Sequence, residues 1–360
     1  MIGVYLHIPY CKTLCPYCDF VKDRSRTGVP DPFVDALCNE IAAYEGPRQA
    51  GSIFFGGGTP SLLAPTQLAR ILTALRDTFD LGNEELTLEA NPDDLTDALL
   101  RAWKDLGVNR VSLGVQSFDP RVLRYLGRRH DADGARRACA LVADQFDNWS
   151  LDLIFGAPPL DPWQDTLDEA VALDPPHMSA YGLTYEPGTP FARRADEAVD
   201  DETSLDLYRM LEETLTAAGY GHYEISNFAR PGREARHNLV YWHNGEYAGF
   251  GTGAYSYLSG TRARNHHTND AYLRAPGDKE EALQLTEEEV RVETLIQHFR
   301  LRDGLPKDHY TQRFHRDLMS DYGAPLTRLL RDGLLEDTPT HLRPTRKGFY
   351  LNNEIGLALV

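Results

Sequence analysis

Six short apolar runs, at residues 2–8, 52–55, 86–88, 111–114, 151–155 and 178–183, punctuate the first half of the chain. Several are near-continuous rather than alternating, as expected of strands covered on both faces in a parallel sheet. Stretches with helical spacing lie between them. In 66–79, Leu68, Ile71, Leu72, Leu75 and Phe79 recur at that spacing, and Pro65 stands just inside the start. Similar amphipathic stretches cover 32–44, 94–106, 132–143 and 203–218. Repeated strand-then-helix units predict an α/β fold with parallel strands, as an open sheet or a full or partial barrel.

The residues at the ends of the predicted strands narrow the picture. Cysteines come directly after the first, and Gly56-Gly57-Gly58-Thr59-Pro60 after the second. The third ends in Glu89, the fourth in Gln116, the fifth in Asp152, and the sixth in Tyr181 and Thr184. Such residues at the C-terminal ends of successive parallel strands converge on one rim, where folds of this class place their active sites.

Beyond about residue 223 the pattern changes. Residues 226–280 are rich in Asn, Gly, His and Tyr with no clean period, and they read as a connecting region after a core over 1–225. From Glu287 a helical pattern resumes, then Gly333-Leu334-Leu335, a short apolar segment and a final helix, so that 281–360 reads as a small, mainly helical, winged-helix-like domain. This domain carries 11 Lys/Arg against 13 Asp/Glu, a net of −2, which argues against DNA binding.

The whole chain of 360 residues has a formal net charge of −17, a balance that disfavours a generic nucleic-acid or anionic-membrane surface. No run of 18 or more apolar residues predicts a transmembrane segment, and the N-terminus lacks the features of a signal peptide, so a cytoplasmic location is expected. Of five cysteines, three fall within eight residues, which suits a metal site in a reducing compartment better than a disulfide framework. Cys38 and Cys139 stand alone in helical stretches and read as small buried hydrophobes.

The close trio is Cys11, Cys15 and Cys18, spaced C-x3-C-x2-C. Three thiolates can hold three irons of a [4Fe–4S] cube and leave the fourth open; they can also hold zinc, with a histidine such as His7 completing the set. No second ligand pair of the kind zinc sites favour occurs in the sequence. This spacing directly after a first strand resembles the radical SAM superfamily, whose open iron chelates S-adenosylmethionine (SAM). The glycine-rich segment 56–60 extends the resemblance; glycines let peptide groups approach a ligand closely.

Residue by residue, Tyr5-Leu6-His7-Ile8-Pro9-Tyr10-Cys11, Phe55-Gly56-Gly57-Gly58-Thr59-Pro60-Ser61, Glu89-Ala90-Asn91-Pro92, Gly114-Val115-Gln116-Ser117-Phe118 and Asp152-Leu153-Ile154-Phe155-Gly156 resemble one family. It is that of the oxygen-independent coproporphyrinogen III dehydrogenase HemN and its relative HemW, a haem chaperone. The resemblance implies a partial (β/α)6 TIM-type barrel of the radical SAM kind with the C-terminal appendage. It implies Cys11, Cys15 and Cys18 as cluster ligands, and Tyr5, Tyr17, Gly57, Gly58, Thr59, Glu89, Gln116, Arg128 and Asp152 as the lining of a SAM pocket.

Two features separate the branches. The dehydrogenase carries a fourth cysteine two residues after the third; here that position is Phe20, as in HemW-like proteins. The segment His237-Asn238-Leu239-Val240-Tyr241-Trp242 resembles the H-N-x-x-Y-W motif of HemW, which implies haem as a ligand and His237 as a candidate for its iron. His243, His266 and His267 lie close in sequence, and His237 also reads as a core histidine beneath the SAM site. Three readings stand open: a haem chaperone serving an acceptor haemoprotein, with transient contact to membrane haemoproteins; a radical SAM enzyme acting on a tetrapyrrole; and a cluster protein with neither role. Phe20 and residues 237–242 favour the first.

Overall fold

The computed structural model describes residues 1–160 and 162–360. All six predicted strands form: β1 (Ile2–Ile8), β2 (Ala50–Gly57), β3 (Glu85–Ala90), β4 (Arg110–Gln116), β5 (Trp149–Phe155) and β6 (His177–Gly182). They pair in parallel in chain order, β1 to β6. Parallel pairing in chain order leaves the strands' C-terminal ends on a common rim.

The crossover helices are α1 (Asp31–Ala42), α2 (Pro65–Thr78), α3 (Asp97–Leu106), α4 (Pro120–Tyr125), α5 (Ala132–Gln145) and α6 (Trp163–Ala172). Phe33, Leu37 and Ile41 of α1 and Leu68, Ile71, Leu72 and Leu75 of α2 are fully buried against the sheet. Each contributes about 1.5–3 kcal/mol by leaving water. Caps fix the helix starts: the hydroxyl oxygen of Thr96 accepts from Leu99 N–H at 3.2 Å, and Asp131 accepts from Gly134 N–H at 2.6 Å, each worth about 1 kcal/mol.

After α7 (Asp201–Ala217) the sheet continues instead of ending. β7 (Gly221–Glu224) and β8 (Asn227–Ala229) form an antiparallel hairpin on β6. The helix α8 (Arg236–Trp242) then returns the chain to the opposite edge, where β9 (Tyr247–Phe250) pairs in parallel with β1. The strands β10 (Tyr255–Leu258), β11 (Thr261–Asn265) and β12 (Lys279–Gln284) add an antiparallel meander outside β9. Among the described residues this makes one 12-stranded sheet in the order β12-β11-β10-β9-β1-β2-β3-β4-β5-β6-β8-β7, so the barrel stays open. Residues 227–284 thus hold five strands where the sequence showed no period.

The C-terminal part runs helix Glu287–His298, strand Leu305–Pro306, helices Lys307–Phe314 and Leu318–Arg331, then the hairpin Leu335–Asp337 and His341–Pro344 with two short helices. That order agrees with the expected winged-helix-like appendage. It has a core of its own built from Leu295, Phe299, Leu305, Tyr310, Leu326, Leu342 and Ile355. Arg346 ties it to α7 through Glu212 and Glu213, both at 2.9 Å. Among the described residues no helix is long and apolar enough to cross a membrane. Cys139 is buried in the core and Cys38 is packed half-buried against it.

A candidate cofactor site at the barrel mouth

Past β1, Pro9 redirects the chain into the short strand Tyr10–Cys11, which pairs in parallel with Asp23–Arg24 and closes the base of a loop carrying all three cysteines. Inside it, Cys18 N–H donates to the Cys15 carbonyl at 3.3 Å. The Thr59 hydroxyl donates to Cys11 Sγ at 3.3 Å, and Arg128 Nη1 lies 3.5 Å from Cys15 Sγ. The Lys22 ammonium caps the Cys18 carbonyl.

Burial pushes the Cys11 thiol up to about 11, and the nearby sulfurs of Cys18 and Cys15 add to it against the pull of Thr59 and Lys22. Burial raises Cys18 likewise. Two desolvated thiols, Cys11 and Cys18, that resist ionising are suited to a group that brings its own positive charge. Among the described residues no three His, Cys, Asp or Glu side chains converge on a single metal ion. His7 does not complete a zinc set: its Nε2 bonds to the Val21 carbonyl at 2.7 Å and its Nδ1 to the Tyr5 hydroxyl at 2.9 Å.

The glycine-rich segment forms the adjacent wall. Gly57 ends β2 with φ +103°, and a Cβ there would stand 2.5 Å from His7 Cε1. At Gly58 a Cβ would stand 2.7 Å from the Ile8 carbonyl oxygen. Gly57→Ala is therefore expected to destabilise the fold by at least about 2 kcal/mol, from left-handed strain plus overpacking of a pinned ring. Thermal unfolding checks this; an unchanged melting temperature would show that His7 gives way freely.

The remaining residues come from the next strand ends. Gly57 N–H donates to Glu89 Oε2 at 3.2 Å. Burial, then the charge of Asp152, pushes the Glu89 carboxyl up to about 8. Burial also raises Asp152, opposed by hydroxyls that include Ser112 at 2.9 Å and Ser150 at 3.2 Å. At the end of β4 a bulge inserts Val115 and leaves Gln116 at φ 70°, a strained way of re-aiming a side chain. Tyr181, near the end of β6, is 45% exposed.

Arg128, just past α4, ties these pieces together. Its Nη2 donates to the Gly114 carbonyl at 2.7 Å and to Asn91 Oδ1 at 2.5 Å, and its Nη1 lies 3.4 Å from the Tyr17 hydroxyl. Tyr17 itself packs on Phe191. Asp94 went unnoticed in the sequence. Its nearly buried carboxylate accepts from Lys12 in the cysteine loop at 2.6 Å, from Ser61 at 3.0 Å and from Arg129 at 3.1 Å. An acidic residue just past the third strand was the available signal. The structure thus sets Thr59 and Arg128 against cysteine sulfurs, Tyr17 against Arg128, Tyr5 against His7 and Glu89 against Gly57, with Gln116 and Asp152 on the neighbouring strands β4 and β5.

His237 is placed differently. It is 1% exposed, stacked 5.1 Å from the Phe54 ring, with Nδ1 2.9 Å from Ser52 Oγ and Nε2 2.8 Å from the Tyr241 hydroxyl. Burial alone drives its pKa down to about 3. Both ring nitrogens are engaged and the ring is buried in the barrel floor, the surroundings of the core-histidine reading rather than of a ring facing a haem iron.

Residues 5–170 match the Radical SAM superfamily and residues 285–351 match the HemN C-terminal domain. A Lactococcus lactis protein named Heme chaperone HemW is 35% identical over 98% of this chain and 96% of its own length. The chain belongs to the HemW family. Its relatives of that name include those of Bacillus subtilis and Escherichia coli, each 34% identical over 99% of this chain and 98% of the relative. Among solved structures, "Coproporphyrinogen III oxidase (HemN) from Escherichia coli is a Radical SAM enzyme" superposes with a TM-score of 0.86 at 24% identity, covering 99% of this chain and 89% of that one. The fold of this HemW-family chain is therefore the one the sequence led us to expect.

Proposed function

We propose that this HemW-family protein is a haem chaperone: it binds haem and a SAM-coordinated [4Fe–4S] cluster and passes haem to an acceptor haemoprotein in the cytoplasm. The observation that carries this is the end-to-end likeness to proteins named Heme chaperone HemW, at 35% identity over 98% of the chain. Phe20 supports it. A 64% exposed phenyl stands where the dehydrogenase branch has a fourth cysteine, and a phenyl supplies no thiolate.

In this reading Cys11, Cys15 and Cys18 supply the three thiolates, and the cluster, when bound, supplies an open iron for the amino and carboxylate groups of SAM. The Thr59 hydroxyl and the Arg128 guanidinium favour the ionised sulfurs they touch. Gly57, Gly58 and Tyr5 bring backbone and hydroxyl groups to the mouth. Glu89, Gln116 and Asp152 would supply carboxylates and an amide suited to a ribose diol, an adenine edge and a cationic sulfonium. A cation beside Glu89 would draw its raised pKa back down and leave it ionised at neutral pH.

The test is anaerobic reconstitution, then separate additions of haem, SAM and coproporphyrinogen. Stoichiometric haem uptake without coproporphyrinogen turnover is expected. Rapid coproporphyrinogen conversion with no haem uptake would overturn the reading in favour of the dehydrogenase.

A further inference from the structure

We infer that the axial ligand to a haem iron on this chain is His267, backed by Glu280. The inference rests on the haem-chaperone reading and names the residue that does the holding. Both ring nitrogens of His237 are hydrogen-bonded, whereas the exposed ring of His267 leaves one open.

His267 is built like a ligand. Its Nδ1 lies 2.7 and 2.8 Å from the two carboxylate oxygens of Glu280, so Nδ1 carries the proton in the neutral ring and Nε2 keeps its lone pair. The side chain is 55% exposed, which leaves that lone pair accessible. Glu280 also accepts the His267 backbone N–H at 3.1 Å, and Arg264 steadies the same carboxylate at 3.4 Å. Ring and backbone are therefore anchored to one acid. A carboxylate on the far nitrogen is the usual partner of a metal-bound histidine, because it fixes the tautomer and raises the basicity of the free nitrogen.

Its position fits as well. The turn after β11 that carries His266 and His267 lies beside the end of the cysteine loop. Gly253 N–H donates to the His266 carbonyl at 2.8 Å, and a Cβ at Gly253 would stand 2.8 Å from Val21. Two residues past His267, Asn269 Nδ2 donates to Asp23 at 2.6 Å. Phe20, on this end of the loop, offers an exposed aromatic face to a flat apolar macrocycle. Residues 12–26 hold four basic side chains against two acidic ones in a chain of net charge −17, a local balance that suits the macrocycle's two carboxylates.

The experiment titrates ferric haem into the reconstituted full-length protein and follows the Soret band. His267→Ala is expected to weaken binding at least tenfold and shift the band, with the band restored by free imidazole. Glu280→Gln is expected to weaken binding about tenfold, and His266→Ala less than twofold. His267 is exposed, so its variant folds, which circular dichroism verifies. Wild-type affinity and spectrum in His267→Ala would overturn the assignment, as would a loss confined to His266→Ala. A wild-type protein that takes up no haem overturns the chaperone reading itself, a separate failure.

Discussion

Replacing Cys15 with serine is expected to abolish iron binding, taking the reconstituted protein from four irons per chain to nearly none. The base of the cysteine loop is closed by two strand pairs, Tyr10 with Asp23 and Cys11 with Arg24, and by the His7 bond to the Val21 carbonyl. Nothing else in its geometry can replace a lost sulfur, since both nitrogens of His7 are engaged. A hydroxyl is a poor ligand for iron beside sulfide, and the Arg128 guanidinium 3.5 Å from Cys15 Sγ would be left facing a neutral group. Cys38→Ser, in α1 and remote from the loop, should keep its full iron. Iron and sulfide analysis with visible absorption decides; a Cys15→Ser protein that retains four irons would refute the assignment of the site.

The second large effect is acid instability. His7, His130, His177, His237 and His298 are all buried, and burial lowers each: His237 to about 3, His130 and His298 to about 4, His177 well below its usual value. A group whose folded pKa is depressed contributes stability that is complete above its unfolded value near 6.5 and is lost as pH falls toward the folded value. At pH 5 His130, His237 and His298 each cost about 2 kcal/mol.

Glu89, Asp152 and Glu224 act in the opposite sense, because burial raises them and folding favours their protonated forms. The five histidines outnumber these three acids, so a net loss of stability is expected as pH falls from 6.5 to 5. Urea titrations across that range should show it, and Glu89→Gln should steepen it. Stability that stays flat down to pH 5 would show that the histidines find protons without unfolding.

The parallel half of the sheet was legible because strands such as 151–155 are near-continuous apolar runs, broken there only by Asp152. The runs stop short of Glu89 and Gln116, which the sequence places at the strand ends and the structure includes in the strands. The meander was hidden for a related reason. Lys279–Gln284 is exposed along its whole length, and a strand without a buried face leaves no alternation to read. Within the site, cysteine spacing and strand-end residues carry their own signals. Asp94 becomes visible only when Lys12, Ser61 and Arg129 are brought to it from three separate segments. His237 shows the reverse failure: a motif can mark a family while its histidine serves the barrel floor.

The pairing of β1 with both β2 and β9 has a consequence for how the chain is made. Residues 3–6 lie between a strand about 50 positions away and one about 240 positions away. During synthesis β1 therefore keeps one open edge until residue 250 has emerged, and contacts of such sequence separation form slowly. The nascent chain carries Cys11, Cys15 and Cys18 through that whole interval on an unfinished strand. The final geometry of the cysteine loop, whose Val21 rests against Gly253, is set only after residue 253 has been translated.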